Sequence, residues 1–177
     1  MTGLPTDGQV IDPEPLLLAP SLQPLLAYWK SRSPEGRMPA RADIDPLDIP
    51  RLLPFLYLVD VEYLAAPHLG ATGTQHRFRY RLVGTGIVER NDGDPTGRYL
   101  DDFENRPFHE TIVADYARCA AEKRPVAASR RFMDASGRHW PYQRLVLPLS
   151  EDGDKVNMLL GGNAFADKPE PRGRRGR

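Results

Sequence analysis

The stretch HRFRYRLVG, residues 76–84, alternates cation and apolar side chain: Arg77, Arg79 and Arg81 interleave with Phe78, Tyr80 and Leu82. A two-residue period belongs to a β-strand, because a helix would scatter these residues around its circumference. Upstream, FLYLVDVEYL (55–64) is rich in β-branched and aromatic residues and carries Asp60 and Glu62 on one face. It reads as a second strand, joined to the first by a hairpin-type loop, AAPHLGATGTQ. Antiparallel pairing sets the acids opposite the arginines, at about 0.2–1 kcal/mol per cross-strand pair. The arginine stripe is then the outer face of a sheet, and Phe78, Tyr80 and Leu82 face inward.

A basic stripe also suits nucleic acid or a protein interface. The charge balance argues against nucleic acid. The chain has 24 basic and 24 acidic residues, and its last ten residues, KPEPRGRRGR, hold five of the basic ones and one acid. The rest is therefore net acidic and repels phosphate at long range. A single cysteine, Cys119, allows neither an intrachain disulfide nor a thiolate metal cluster. No apolar run approaches the roughly 20 residues of a membrane-spanning helix. The first cation is Lys30, so the start lacks the basic region of a signal peptide. These features predict a cytoplasmic protein without membrane or nucleic-acid partners.

The rest of the chain divides by composition. Residues 1–20 read as a disordered segment rich in Pro, Gly and Asp. Residues 21–36 read as a flanking helix, with Ser21 as N-cap and Pro24 in the first turn. Leu22, Leu25, Leu26 and Trp29 form one apolar face, which must bury against its own sheet or a second subunit. Residues 37–167 form the main domain. MPARADIDPLDIPRLLPFL holds short turns, and TGIVERNDGDPTGRYLDDF a short helix and further turns. NRPFHETIVADYARCAAEKRP is the main helix, stopped by Pro125. VAASRRFMD, RHWPYQRLVLPLS and KVNMLLGGNAFA follow as strands, with ASG and EDGD as tight turns. Residues 168–177 read as a disordered basic tail. Two strands, then helices, then three strands give an α+β fold with a five-stranded antiparallel sheet and helices on one face, plus the N-terminal helix.

Four pieces in this order carry a resemblance: DIDPLDIPRLLP (43–54), RFRYRLVGT (77–85), GDPTGRYLD (93–101) and RLVLPLSEDG (144–153). Together they resemble a PAS domain, and within that superfamily the bacterial single-domain group, over roughly residues 22–165. The resemblance implies a sensor or interaction module that binds a small ligand between the inner sheet face and the helices. It implies dimerisation through the N-terminal helix and, with no output domain in this sequence, signalling through a partner protein.

Motifs for other chemistry are weak. Gly84–Gly86 (GTG) follows a strand, but the third glycine of a dinucleotide fingerprint is Glu89, and a strand-ending turn fits better. The four histidines, His68, His76, His109 and His139, show no metal spacing. His109 opens the main helix, near where some haem-binding PAS domains carry their iron ligand; a surface histidine is the favoured reading. Cys119 lies late in the helix, unlike a flavin-adduct cysteine, and reads as a small core residue. Carboxylates cluster at Asp101–Asp102 and at Asp43, Asp45 and Asp48, where they suit turn capping. No nucleophile elbow or acid–base pair is visible, so the chain reads as non-enzymatic.

The ligand-pocket candidates are the residues expected to face inward. Tyr80 and Leu82 come from the second strand, and Ile87 and Val88 from the short helix. Ile112 and Tyr116 come from the main helix. Met133, Leu145, Leu147, Met158 and Leu160 come from the last strands. The sequence names no cofactor. The competing reading is a ligand-free interaction module whose core is simply filled, with the sheet face and the Leu22–Trp29 helix binding another protein.

Overall fold

The computed structural model describes residues 10–11, 18–64, 75–91, 93–106, 109–133 and 138–167. Its strands are β1 (Val10–Ile11), β2 (Leu56–Leu64), β3 (Gln75–Val83), β4 (Val126–Met133), β5 (His139–Leu149) and β6 (Met158–Phe165). Its helices are α1 (Gln23–Ser31), α2 (Thr85–Val88) and α3 (His109–Glu122). All strand pairs are antiparallel, in the order β1-β4-β5-β6-β2-β3. The five long strands are those expected. The sixth, β1, corrects the expectation that residues 1–20 are disordered throughout: Val10 and Ile11 pair with Ala128 and Ala127 on the free edge of β4. The 65–74 loop, the ASG turn and the C-terminal tail lie outside the described residues. The EDGD turn is built on Asp152, whose carboxylate accepts from Ser150 Oγ and from the N–H groups of Asp154 and Lys155 (2.9, 2.9 and 2.7 Å). The backbone N–H of Lys155 comes first among the bonds that hold its pKa down at about 2. No helix among the described residues is long and apolar enough to cross a membrane.

Both faces of the sheet are covered. On one face α1 packs Leu22, Leu25, Leu26 and Trp29 against Leu145, Leu147, Leu149, Met158 and Leu160. Trp29 Nε1 donates to Pro148 O at 2.9 Å. The dimer-interface assignment of these four α1 residues is therefore corrected: their apolar face is consumed by the chain's own sheet. An intramolecular apolar surface was available, and docking on it needs no loss of translational freedom. Ser21 is also not the cap, since Leu22 holds that position without a side-chain bond, while Pro24 sits in the first turn as expected. Leu25 is fully buried and its Cδ2 lies over Gly162, where a Cβ would meet it at 2.6 Å. Leu25→Ala should cost about 2–5 kcal/mol in urea unfolding, as for other core leucines. A dimer-interface role would instead show as a change of mass in solution with unaltered monomer stability.

The second face carries α2, α3 and the Leu100–Phe103 turn, around Tyr57, Val59, Val61, Phe78, Tyr116, Cys119, Val146 and Leu159. Alternation along β5 decides this. Leu145, Leu147 and Leu149 point to α1, so Tyr142, Arg144 and Val146 point to α3. Four pocket candidates are thereby corrected: Leu145, Leu147, Met158 and Leu160 lie on the α1 side, away from Tyr116 and Ile87.

A β-bulge corrects a fifth. Leu58 pairs with Leu82 but Val59 pairs with Tyr80, leaving Arg81 as an extra residue. The parity of β3 flips there. Phe78 and Tyr80 face α3, Leu82 turns to the outside at 48% exposure, and Val83 packs inward in its place. The arginine stripe is the outer face of the sheet, with Asp60 opposite Arg79 and Glu62 opposite Arg77. Arg81 Nε bonds Asp60 Oδ1 at 2.8 Å, Arg77 Nε bonds Asp101 Oδ2 at 2.7 Å, and Arg79 Nε donates to Gly97 O at 3.1 Å. The Tyr99 ring lies 3.6 Å under the Arg77 guanidinium, and its hydroxyl donates to Glu62 at 2.9 Å. Gly97 makes this approach at φ 86°, a turn that favours glycine.

Candidate functional site

The α3 face of the sheet combines apolar rings with buried ions. Along α3, Ile112, Asp115, Tyr116, Cys119 and Ala120 fall at helical spacing on the side facing the sheet, with Ile112 partly buried and the rest buried. Asp115 is the polar member of that stripe. On the sheet below, Arg130 (β4) and Tyr142 (β5) are cross-strand partners, as are Ala128 and Arg144. Arg130 clamps Asp115 with two nitrogens: Nε donates to Oδ2 at 3.1 Å and Nη2 to Oδ1. Arg144 Nη1 shares Oδ2 at 3.0 Å, and its Nη2 bonds the Tyr142 hydroxyl. Asp115, Arg130 and Arg144 are 2%, 6% and 3% exposed. Among the described residues, two guanidiniums thus share one buried carboxylate.

Aromatic rings line the neighbouring space. Tyr116 meets Phe78 edge-on at 5.4 Å between centroids and Tyr57 at 5.9 Å. The Arg144 guanidinium lies 5.8 Å from the Tyr116 ring centre and 5.5 Å from that of Tyr142. Tyr57 lies across its β6 partner Gly161, where a Cβ would fall inside the ring. Glycine here is a packing requirement that admits an aromatic cross-strand neighbour. Burial pushes the pKa of Tyr57, Tyr80, Tyr116 and Tyr142 up, so all four are neutral hydroxyls at physiological pH.

Four polar atoms of the described residues are buried without a hydrogen-bond partner: Tyr57 Oη, Asn163 Oδ1, His109 Nδ1 and, on β4, Ser129 Oγ. Tyr57 Oη lies close enough to the Tyr116 hydroxyl for the two to shift each other's pKa, but it reaches no hydrogen-bond geometry among the described residues. Asn163 is the cross-strand partner of Arg144 on the same face. His109 is the first residue of α3, seven before Tyr116, which is about two helical turns and hence the same side. An unpaired buried polar group costs about 1–3 kcal/mol, and two of these atoms, Tyr57 Oη and Asn163 Oδ1, lie on the neighbouring strands β2 and β6.

The structure thus brings together Tyr80, Ile87, Ile112 and Tyr116 from the expected set. Val88 is half-buried and joins neither core cluster among the described residues. Met133 ends β4, and its side chain lies outside the described residues. His109 does not suit a haem: Tyr57, Phe78 and Tyr116 touch ring to ring on the sheet face under α3, where a porphyrin would have to lie. Cys119 is fully buried, with Sγ 3.6 Å from Val146 O, and burial raises its pKa well above the usual thiol value. It is a core residue. The sequence reading missed Arg130, Asp115, Arg144, Tyr142, Tyr57 and Asn163. One signal was present: LVLPL (145–149) is apolar at every position, so β5 must be buried on both faces, and Arg144 beside it with them.

The sequence profile of a PAS domain matches residues 17–163. The chain belongs to the PAS domain family. No curated protein matches its sequence. Among solved structures, the chain is similar to one described under the words "Flavin Analogue Sheds Light on Light-Oxygen-Voltage Domain Mechanism", at 11% identity and a TM-score of 0.47. That match covers 69% of this chain and 84% of the other. A second, an RNA-binding light-oxygen-voltage receptor, is similar at 12% identity and a TM-score of 0.41. It covers 93% of this chain, which spans 36% of that protein. PAS domains are in general sensory signalling modules without catalytic activity, and the sheet order seen here is the PAS frame.

The buried phenols give a pH prediction. A tyrosine whose folded pKa is raised above its unfolded value of 10.0 holds its proton more tightly when folded. Stability is intact below that pH and falls as pH rises past it. In an alkaline titration, the tyrosinate absorbance of Tyr57 and Tyr116 should appear only as the circular dichroism of the fold is lost. Full tyrosine ionisation with the native spectrum intact would contradict their burial.

Proposed function

We propose that this chain is a non-enzymatic sensor of bacterial signal transduction, acting in the cytoplasm. A small ligand binds between α3 and the sheet, and the change is passed to a signalling partner or to a second copy of the chain. One observation carries this reading. Tyr57 is 3% exposed, and its hydroxyl has no hydrogen-bond partner beside a buried, charged, ring-lined constellation. A domain selected for stability alone would carry phenylalanine there. A ligand that bonds this hydroxyl and the Asn163 amide favours one arrangement of α3 over another, by its differential affinity for the two.

Tyr57→Phe tests the reading. The variant should be more stable than the wild type by about 1 kcal/mol in the ligand-free state, since a buried unsatisfied group is removed. It should also retain less co-purifying ligand in native mass spectrometry. A variant less stable than the wild type, with the same bound species, would overturn the assignment.

A second reading has its own observation. Leu82 and Leu53 are exposed at 48% and 38%, and the chain at Gly84, just past Leu82, lies against the Leu53 and Pro54 backbone. This apolar spot on the outer side of β3, next to the arginine stripe, suits a partner protein or self-association. Leu82→Glu should abolish such association in light scattering and leave ligand retention unchanged.

A further inference from the structure

Resting on the ligand-sensing reading, we propose that the ligand is a small organic anion, a carboxylate with an apolar body, held by Arg144 beneath α3. Charge carries the argument. Arg130 already grips both oxygens of Asp115, through Nε and Nη2, and its Nη1 is on Ser129 O at 3.2 Å. Arg144 receives only a share of Oδ2 and the neutral Tyr142 hydroxyl. An arginine keeps its charge in any protein interior. One of the two buried positive charges therefore lacks a full counter-charge among the described residues, and an uncompensated buried ion is costly.

The groups around Arg144 suit a carboxylate. The guanidinium fork has further N–H donors and matches a carboxylate's paired oxygens. The Tyr57 hydroxyl is a neutral donor with no partner. Asn163, opposite Arg144 on the same face, can present its amide N–H by a half-turn of the side chain. Tyr57, Phe78 and Tyr116 supply faces and edges for an apolar body. The Asn163 amide, once turned so that its N–H faces Arg144, and the surplus charge of Arg144 lie on adjacent strands, and one carboxylate accepts from both.

The test uses acetate, isobutyrate and benzoate, each against its own amide, in thermal-shift and calorimetric titrations of the full chain. At least one carboxylate should bind about tenfold or more tightly than its amide. Arg144→Gln should remove that preference. Because Arg144→Gln removes a buried partner of Asp115 and can impair folding, Asn163→Asp is the second variant. It places a carboxylate opposite Arg144 with hardly any change of shape, so it should raise the melting temperature of the free protein and abolish carboxylate binding. Amides binding as tightly as carboxylates, or Asn163→Asp leaving carboxylate binding intact, would overturn the anion assignment. Ligand sensing itself would then stand wherever Tyr57→Phe still weakened amide binding. Failure of every probe to bind, with no co-purifying mass, would overturn both.

Discussion

Asp115→Ala should destabilise the chain by about 3–5 kcal/mol, because it leaves two arginines buried without a counter-charge. Asp115 accepts two bonds from Arg130 and one from Arg144, and all three residues are buried. Its loss is far larger than that of a surface pair such as Arg118–Glu122, which is solvent-exposed on α3 and contributes at most about 0.5 kcal/mol. Urea unfolding of the single variants and of Asp115→Ala with Arg144→Leu separates the terms. The double variant should be less impaired than Asp115→Ala alone, since one of the stranded charges is gone. Additive effects of the two changes would show that the ions do not act as one cluster.

Gly161→Ala should be more damaging than Gly162→Ala. The added methyl falls within the Tyr57 ring, and overpacking of this kind costs about 1–3 kcal/mol or more. Gly162→Ala strikes Leu25 and Leu22 on the opposite face instead. The two adjacent glycines of LLGGNAF thus serve different layers, one the aromatic site under α3 and one the packing of α1. Adding Tyr57→Leu to Gly161→Ala should restore much of the stability, while the same change added to Gly162→Ala should not. Thermal unfolding of these variants measures the difference.

The order of elements was legible because its signals are local. Alternation marked β2 and β3, turn residues marked their ends, and Pro125 bounded α3. The assignment of faces was not legible to the same degree. In LVLPL both alternate sets are apolar, so local pattern leaves open which set meets α3. The bulge at Arg81 depends on register against β2, which HRFRYRLVG alone does not contain, and it moved Leu82 outward and Val83 inward. The α1 face was read correctly as apolar, yet its partner is the Leu145–Leu149 side of β5 and not a second subunit. The site itself was hidden by residue type. Arg130 and Asp115 carry charges that no local pattern marks as buried, and only tertiary packing brings them together with Arg144.

On the sensing proposal, a small molecule sits between α3 and the sheet. The most direct measurement is the mass of freshly purified protein under native and then denaturing conditions. A non-covalent mass should be lost on denaturation, and on the anion assignment it is a carboxylic acid. An identical bare-chain mass under both conditions would contradict the sensing proposal.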